Sequence, residues 1–490
     1  MIDFKTLEEY RENNRIEAKA AQGGVPNSIW ETYSAFANTL GGIILLGVIE
    51  LDDKSLSAVG LPDPVRSLKE FWDIINNAQK VSVNLLSDKD VTIENANGKD
   101  IIVIRVPRAA RTEKPVYING NPFTGSYRRN GEGDYKCSRE QVQAMVRDAA
   151  VKTQDMIVLD NMGLDVFDYD SVKRYRLRMK NYRPGHVWEE LEDVDFLYRL
   201  TAVGRAEDGT LHPTTAGLLM FGYEYEIVKE FPMYFLDYQE QMDPNTRWTD
   251  RIVSTSGDWS GNVYDFYFRV YNKITQDIKI PFKLEGGDRI DDTPVHRALR
   301  EALANCLINA DYYGRQGVVI VKKKDIITLS NPGEFRVEVK TAISGGVSDP
   351  RNSALIKMFN LIEVGERAGS GIPNIFNVWN KQGWELPTIT ENFDPERITL
   401  SLVLEKPAIK TGDKKPAIKT GDKKTTTKTE VHRKLIVEYL TVHACAKSND
   451  ISELLDLSTT RTKEILSKMI EDGIIVAEGS NKNRTYRLKP

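Results

Sequence analysis

The chain has 490 residues, of which 40% are apolar and 28% charged. That is globular composition, so a fibrous or wholly disordered protein is excluded, and at about 100–200 residues per domain it predicts about three or four domains. A formal net charge of -4 excludes a generic polycation that coats nucleic acid.

The N-terminal stretch MIDFKTLEEYRENNR has no apolar h-region, so no secretory signal is expected. Residues 1–150 read as mixed α/β. IWETYSAFANTL is an amphipathic helix closed by Gly41 and Gly42, and IILLGVIEL follows as a strongly apolar strand over 43–51. VTIENANGKDIIVIRVPRA is a hairpin with an Asn-Gly turn. KPVYINGNPFTGSYRRNGEGDYKCS is a further strand pair, and SREQVQAMVRDAA is a capped closing helix. Residues 151–280 read as a connecting α+β region, with a helical VKRYRLRMKNYRPG, a strand-like MYFLDYQEQ and the aromatic run WSGNVYDFYFRVYNK. Core packing is the expected role of those aromatics, with base stacking as the alternative. Residues 281–405 hold a long helix, PVHRALREALANCLINADYYG, the strands VVIVKK and IITLSN, the loop NPGEF, a helix around SALIKMFNLIE, the turn RAGSGI and a last strand, ITLSLVLEK.

Residues 406–414 read KPAIKTGDK and 415–423 repeat it. Rich in Lys, Thr, Gly and Pro and without an apolar period, residues 406–428 read as a flexible linker. Residues 406–490 hold 18 Lys+Arg against 11 Asp+Glu. The tail is therefore basic and the remainder acidic, an asymmetry that points to nucleic-acid contact. Residues 429–490 predict three helices, VHRKLIVEYLTVH, DISELLDL and RTKEILSKMIEDG, and a hairpin with a polar tip. This resembles a winged helix-turn-helix. Its third helix would present Thr459, Thr460, Arg461 and Lys463 to a major groove, with Lys482, Asn483 and Arg484 on the wing for phosphates.

Cys137, Cys306 and Cys445 lie far apart and form no Cys-x-x-Cys pair. A zinc ribbon and a disulfide framework are not expected, and five histidines argue against a histidine-rich metal enzyme. No run of about 18 apolar residues occurs, so no membrane span or membrane partner is expected. A soluble cytoplasmic protein is the default.

Two constellations suit chemistry. The first is Glu12-x4-Glu17-x-Lys19 with Glu50, Asp52 and Asp53. If 12–19 lies beside the strand 43–51, carboxylates of both segments converge, and Glu50 and Asp52 share one strand face. Glu12, Glu17 and Glu50 could then hold Mg²⁺ or Mn²⁺ for hydrolysis, with Lys19 neutralising a phosphate. The alternative is an exposed acidic turn. The second is Glu301-x3-Asn305 on a helix, then Asn309, Asp311, the Asn331-Pro332-Gly333 loop and Gly369-Ser370-Gly371. Residues i and i+4 share a helix face, an Asn amide oxygen can ligand Mg²⁺, and glycine-rich backbone N–H groups can receive phosphates. The alternative is that these glycines only end helices. No GxxxxGK[ST] occurs, so a P-loop helicase motor is excluded.

ENNRIEAK…ETYSAFANTLGGIILLGVIE resembles the Schlafen/AlbA-type ("divergent AAA") domain, through Glu12, Glu17 and Lys19, then Ala35, Phe36, Ala37, Asn38, Gly41 and Gly42, then Gly47, Val48 and Glu50. The resemblance covers residues 1–150. It implies either a binding module or, as in the nuclease branch, a metal-dependent RNase of tRNA or other structured RNA. REALANCLINADY, SNPGEF and RNSALIKMF…IEVGERAGSGI resemble the divergent GHKL module of proteins called RecG-like or transcriptional regulators. That resemblance covers residues 281–405 and implies an α/β sandwich that binds ATP. The adenine-contact Asp-x-Gly-x-Gly box is represented by Ser-Asn-Pro-Gly. The expectation is a multidomain α/β and α+β nucleic-acid-binding regulator, acting on DNA or RNA as a homo-oligomer. A Schlafen-type RNase of stress or antiphage defence is the alternative.

Overall fold

The computed structural model describes residues 4, 6–276, 278, 284–285, 288–289, 293–365 and 369–404, and beyond these 433, 436, 440, 446–448, 451–452, 459–471, 474–478 and 484–488. The chain forms two compact units, Met1–Ala408 and Ile409–Pro490.

The first unit begins with a four-stranded sheet in the order Ile16–Lys19, Gly42–Leu46, Lys99–Val106, Val91–Ala96. The first pair is parallel, with Glu17 opposite Ile44, and the others are antiparallel. Period-2 alternation sorts the apolar residues. Ile44, Leu46, Ile102 and Ile104 pack under the helices Ile29–Asn38 and Pro64–Ile75, while Leu45, Val103 and Ile101 meet Leu7 and Leu56 on the other face. The Asn-Gly hairpin forms as expected, with Asn97 and Gly98 both at positive φ (53° and 82°), the demand of a type I′ turn. The closing helix Arg139–Ala149 carries a capping box between Ser138 and Gln141.

The expected continuous strand over 43–51 is broken. Gly47 has φ +87°, and a Cβ there would meet the backbone of Gly60 at 3.1 Å. The chain bends, and Val48–Glu50 pairs instead with Leu56–Ala58. Asp52 therefore lies beyond the strand, exposed, and does not share a strand face with Glu50.

A six-stranded sheet follows, in the order Asp250–Val253, Leu236–Gln241, Val318–Lys323, Ile326–Pro332, Glu396–Val403, Thr388–Phe393. Strands from both sides of residue 280 share it. The helices Val263–Thr275, Pro294–Ile308, Ser353–Leu361 and Gly371–Gln382 contribute to one hydrophobic core with it. Tyr264, Phe266 and Tyr267 of the aromatic run are buried there.

In the second unit the described residues include the helix Thr459–Glu471 and a three-stranded sheet ordered Ala446–Lys447, Thr485–Leu488, Ile475–Glu478. Ile436, Leu440, Ile451, Leu466 and Tyr486 share its core. The backbones of Thr459, Thr460, Arg461 and Lys463 belong to that helix, and their side chains lie outside the described residues. Lys482, Asn483 and the repeat linker also lie outside them. Arg484 is exposed, with its guanidinium 5.7 Å from the Tyr486 ring centre.

Candidate functional sites

The helix Pro294–Ile308 is capped by Thr293, whose side chain accepts from the His296 N–H. Its polar stripe begins at Glu301 and Asn305, where the Asn305 amide donates to the Glu301 carboxylate at 3.0 Å. One turn on, Asn309 donates to the Asn305 carbonyl at 3.0 Å and its own carbonyl accepts from Asn331. Together with the sheet and the segments 334–350 and 369–376, these residues bound a pocket. Glu301, Asn305, Asn309, Asn331, Gly369 and Gly371 all line it, so six expected positions from three chain segments meet at one cavity. Its apolar wall includes Leu329, Ile375, Phe376, Ile398 and Leu400. An apolar wall beside amide and carboxylate groups makes a cavity that can take a ligand with both an apolar ring and polar groups. Gly371 permits the close approach, because a Cβ there would sit 1.9 Å from a Glu301 carboxylate oxygen.

Two expected nucleotide residues do not line this pocket. Asp311 turns to Arg147, 3.1 Å away, and takes the Tyr313 N–H. Gly333 has φ +102° and packs against the Arg351 guanidinium. Asp311 lies in the turn after the helix Pro294–Ile308, its N–H donating to the Pro332 carbonyl, and Gly333 in the loop after the strand Ile326–Pro332.

Glu334, Phe335, Arg336 and Asp349 line the pocket and were not singled out from the sequence. Glu334 is buried, and its carboxylate meets three cations of the N-terminal module: Arg128, Lys114 at 3.0 Å and Arg108 at 3.7 Å. Burial opposes ionisation, but those cations outweigh it and hold the carboxyl down to about 2. Arg108 also makes a bidentate pair with Glu391, at 2.6 and 2.8 Å, and donates to the Phe335 carbonyl. Arg111 reaches Asp349 at 2.5 Å, and Arg351 pairs with Asp148. Glu396 pairs with Arg128 at 2.6 Å, yet burial first, and the like charge of Glu334, push its carboxyl up to about 7. The only cue in sequence was adjacency to the Asn-Pro-Gly motif. Partners more than 200 residues apart leave no spacing signal.

The acidic constellation sits at the parallel strand pair. Glu17 is buried and held by Lys19 at 2.6 Å and Arg129 at 2.7 Å. Glu12 accepts from the Ala18 N–H at 2.9 Å. Glu50 pairs with Lys54 at 2.9 Å. Burial raises the Glu12 carboxyl, the Ala18 N–H and Lys19 work against that, and the charges of Glu17 and Glu50 raise it further. The Glu12 carboxyl thus feels the charges of Glu17 and Glu50. A metal site does not follow from them: among the described residues no three His, Cys, Asp or Glu are gathered to hold an ion. The physical reason is that Lys19, Arg129 and Lys54 already neutralise Glu17 and Glu50. Asp52 adds nothing, being exposed on the turn.

Asn38 is not a helix cap. It is fully buried, and its amide donates to the carbonyls of Val116 and Tyr127 at 2.7 and 3.0 Å while accepting from the Val116 N–H at 2.8 Å. It ties the helix end to the strand Tyr127–Asn130.

Residues 9–138 match the family described as "Schlafen, AlbA_2", residues 316–400 that described as "Putative ATP-dependent DNA helicase recG C-terminal", and residues 143–237 a domain of unknown function, DUF8451. The first two are the kinds of domain the motifs imply. No curated protein matches this chain. Solved structures similar to it include the following two. The DIP2311 protein from Corynebacterium diphtheriae is 15% identical, with 97% of this chain and 94% of that chain covered and a TM-score of 0.44. The N-terminal domain of the "Putative ATP-dependent DNA Helicase RecG-related Protein" from Nitrosomonas europaea is 29% identical, with 28% of this chain and 94% of that chain covered and a TM-score of 0.22. Among the described residues no helix is long and apolar enough to cross a membrane.

Proposed function

We propose that this chain, which carries a Schlafen AlbA_2 domain and a RecG C-terminal domain, is a cytoplasmic nucleic-acid-binding regulator with a nucleotide-sensing pocket. The observation that carries the reading is the pocket, where Glu301, Asn305, Asn309, Asn331, Gly369 and Gly371 converge beside an apolar slot. Bound there, ATP would supply phosphates whose presence or loss changes the local charge. Glu301 and Asn305 would hold the Mg²⁺-phosphate end, and the glycine backbone would receive phosphate oxygens. Nothing in this scheme needs a motor, in keeping with the missing P-loop.

The proposed domain order is a Schlafen/AlbA-type domain over 1–150, the connecting region over 151–280, the GHKL-like module over 281–405, the linker over 406–428 and a winged helix over 429–490. The winged helix would contact DNA or RNA through Thr459, Thr460, Arg461 and Lys463, and through Lys482 and Arg484. A winged helix on a linker gains affinity by pairing, so the chain would act as a homo-oligomer. The test is binding of the full chain to labelled duplex DNA across a salt series. Affinity should fall steeply as salt rises, and Arg484→Ala should lower the log–log slope by about 1. Absence of binding at low salt would refute the reading.

A Schlafen-type RNase is the second reading, using Glu12, Glu17, Glu50 and Lys19 with Mg²⁺ or Mn²⁺. The nearness of the Glu17 and Glu50 charges to Glu12 favours it. The cations already on Glu17 favour the regulator.

A further inference from the structure

The strand Tyr127–Asn130 carries two successive arginines with opposite duties. Neighbouring strand residues point to opposite faces. Arg128 faces the RecG-type module, meeting Glu334 and Glu396. Arg129 faces the Schlafen-type sheet, meeting Glu17 at 2.7 Å and Asp134 at 3.0 Å, with its guanidinium 5.2 Å from the Phe36 ring centre. Glu334 itself lines the nucleotide pocket. One pair of adjacent residues therefore stands between the pocket wall and the Glu17 cluster.

Other contacts follow the same path. Lys114 binds Glu334 with one hydrogen bond and the Asn38 carbonyl with another, at 3.0 and 2.8 Å. Asn38 in turn holds the Tyr127 carbonyl, one residue before Arg128. The pocket-lining segment from Glu334 to Pro350 is pinned along its length by N-terminal groups: Arg108 on the Phe335 carbonyl, the Asp148 carbonyl on Arg336, and Arg111 on Asp349. The Nε atoms of Arg128 and Arg129 are buried and have no hydrogen-bond partner among the described residues.

We infer that occupancy of the pocket by an anionic nucleotide is transmitted to the Glu17 cluster through Glu334, Arg128 and Arg129, so that the pocket regulates the Schlafen-type domain. The inference rests on the nucleotide reading of the pocket given above. Glu334 lines the same pocket, so the charge of an anionic nucleotide there acts unfavourably on its carboxylate. Relief comes from shifting Glu334 against Arg128, Lys114 and Arg108, because those are the groups that hold it. Arg128 cannot move its backbone without moving Arg129, and Arg129 holds Glu17. By linkage the effect is reciprocal: whatever loosens Glu17 from Arg129 must change nucleotide affinity by the same factor.

The test uses the full chain with Mg-ATP and Mg-ADP as probes, binding followed by calorimetry and backbone amide exchange by mass spectrometry. On nucleotide binding, exchange in Tyr127–Asn130 and Ile16–Lys19 should change by about 5- to 150-fold, the usual range of site coupling. In Glu334→Gln, saturated with nucleotide, that distant change should vanish while the pocket walls still respond. Arg129→Lys, remote from the pocket, should shift nucleotide affinity by the factor seen in wild-type exchange. If Glu334→Gln does not fold, the wild-type arm still tests the coupling and Arg129→Lys the route. Nucleotide binding with exchange changes confined to the pocket walls would overturn the coupling and leave the nucleotide reading standing. A distant change that survives in Glu334→Gln would overturn the route. No binding of either nucleotide at millimolar concentration would overturn both.

Discussion

Replacing Asn38 by Ala should unfasten the Schlafen-type domain at one point. The side chain is fully buried and makes three short hydrogen bonds to backbone groups of Val116 and Tyr127. The Val116 carbonyl keeps the Ser34 hydroxyl at 2.7 Å after the change. The Val116 N–H and the Tyr127 carbonyl lose the bonds Asn38 gives them. At about 1–3 kcal/mol for each of the two orphaned buried groups, the loss is about 2–6 kcal/mol, centred near 4. Since about 1.4 kcal/mol is a factor of ten, the local opening constant should rise by about 10³. Native-state amide exchange in Ile29–Asn38 and Tyr127–Asn130 reads this directly. Asn38→Asp, nearly isosteric, should do no better, because it removes the amide donor and buries a carboxyl. Exchange rising less than about threefold in both segments would refute the reasoning, since even one orphaned group costs about 1 kcal/mol.

Gly371→Ala should push the Glu301 carboxylate aside, since the new Cβ would sit 1.9 Å from it. Overpacking of this kind costs about 1–3 kcal/mol, so nucleotide affinity should fall by about 5- to 150-fold in a calorimetric titration. Gly23→Ala, which meets nothing within 4 Å, is the neutral control. Glu396, raised to about 7 against an ordinary 4.5, binds its proton more tightly in the folded chain. Its contribution to stability is present below about 4.5 and is lost as pH rises toward 7, by about 1–3 kcal/mol. Glu334, held down to about 2, acts oppositely, losing its contribution only as pH falls below about 4.5. Urea midpoints at pH 5 and 7.5 should therefore differ, and Glu396→Gln should flatten that difference.

Local signals were legible in the sequence wherever the determinant was local. The Asn97-Gly98 turn and the capped helix from Ser138 formed where short-range chemistry placed them, while the helix read over 294–314 ends at Ile308. The pocket was legible too, because Glu301, Asn305 and Asn309 are set by helical spacing. Asp311 was misplaced, since it lies past the helix end, where periodicity no longer fixes direction. Gly47 read as part of a strand, and only its closeness to Gly60 shows why the chain must turn there. The ion pairs of Glu334 with Arg128 and of Glu17 with Arg129 were not legible at all. Their partners are 206 and 112 residues apart, and charge alone does not say which cation a carboxylate will meet.

The central claim is binding and regulation rather than cleavage. It is tested most directly by incubating the purified chain with total tRNA and with duplex DNA, in Mg²⁺ or Mn²⁺, beside Glu17→Gln and a chelator control. The account predicts intact nucleic acid in every lane and salt-sensitive retention of DNA by both proteins. Metal-dependent cleavage that disappears in Glu17→Gln and with the chelator would contradict it, and would make the Glu12, Glu17 and Glu50 cluster the active site of an RNase.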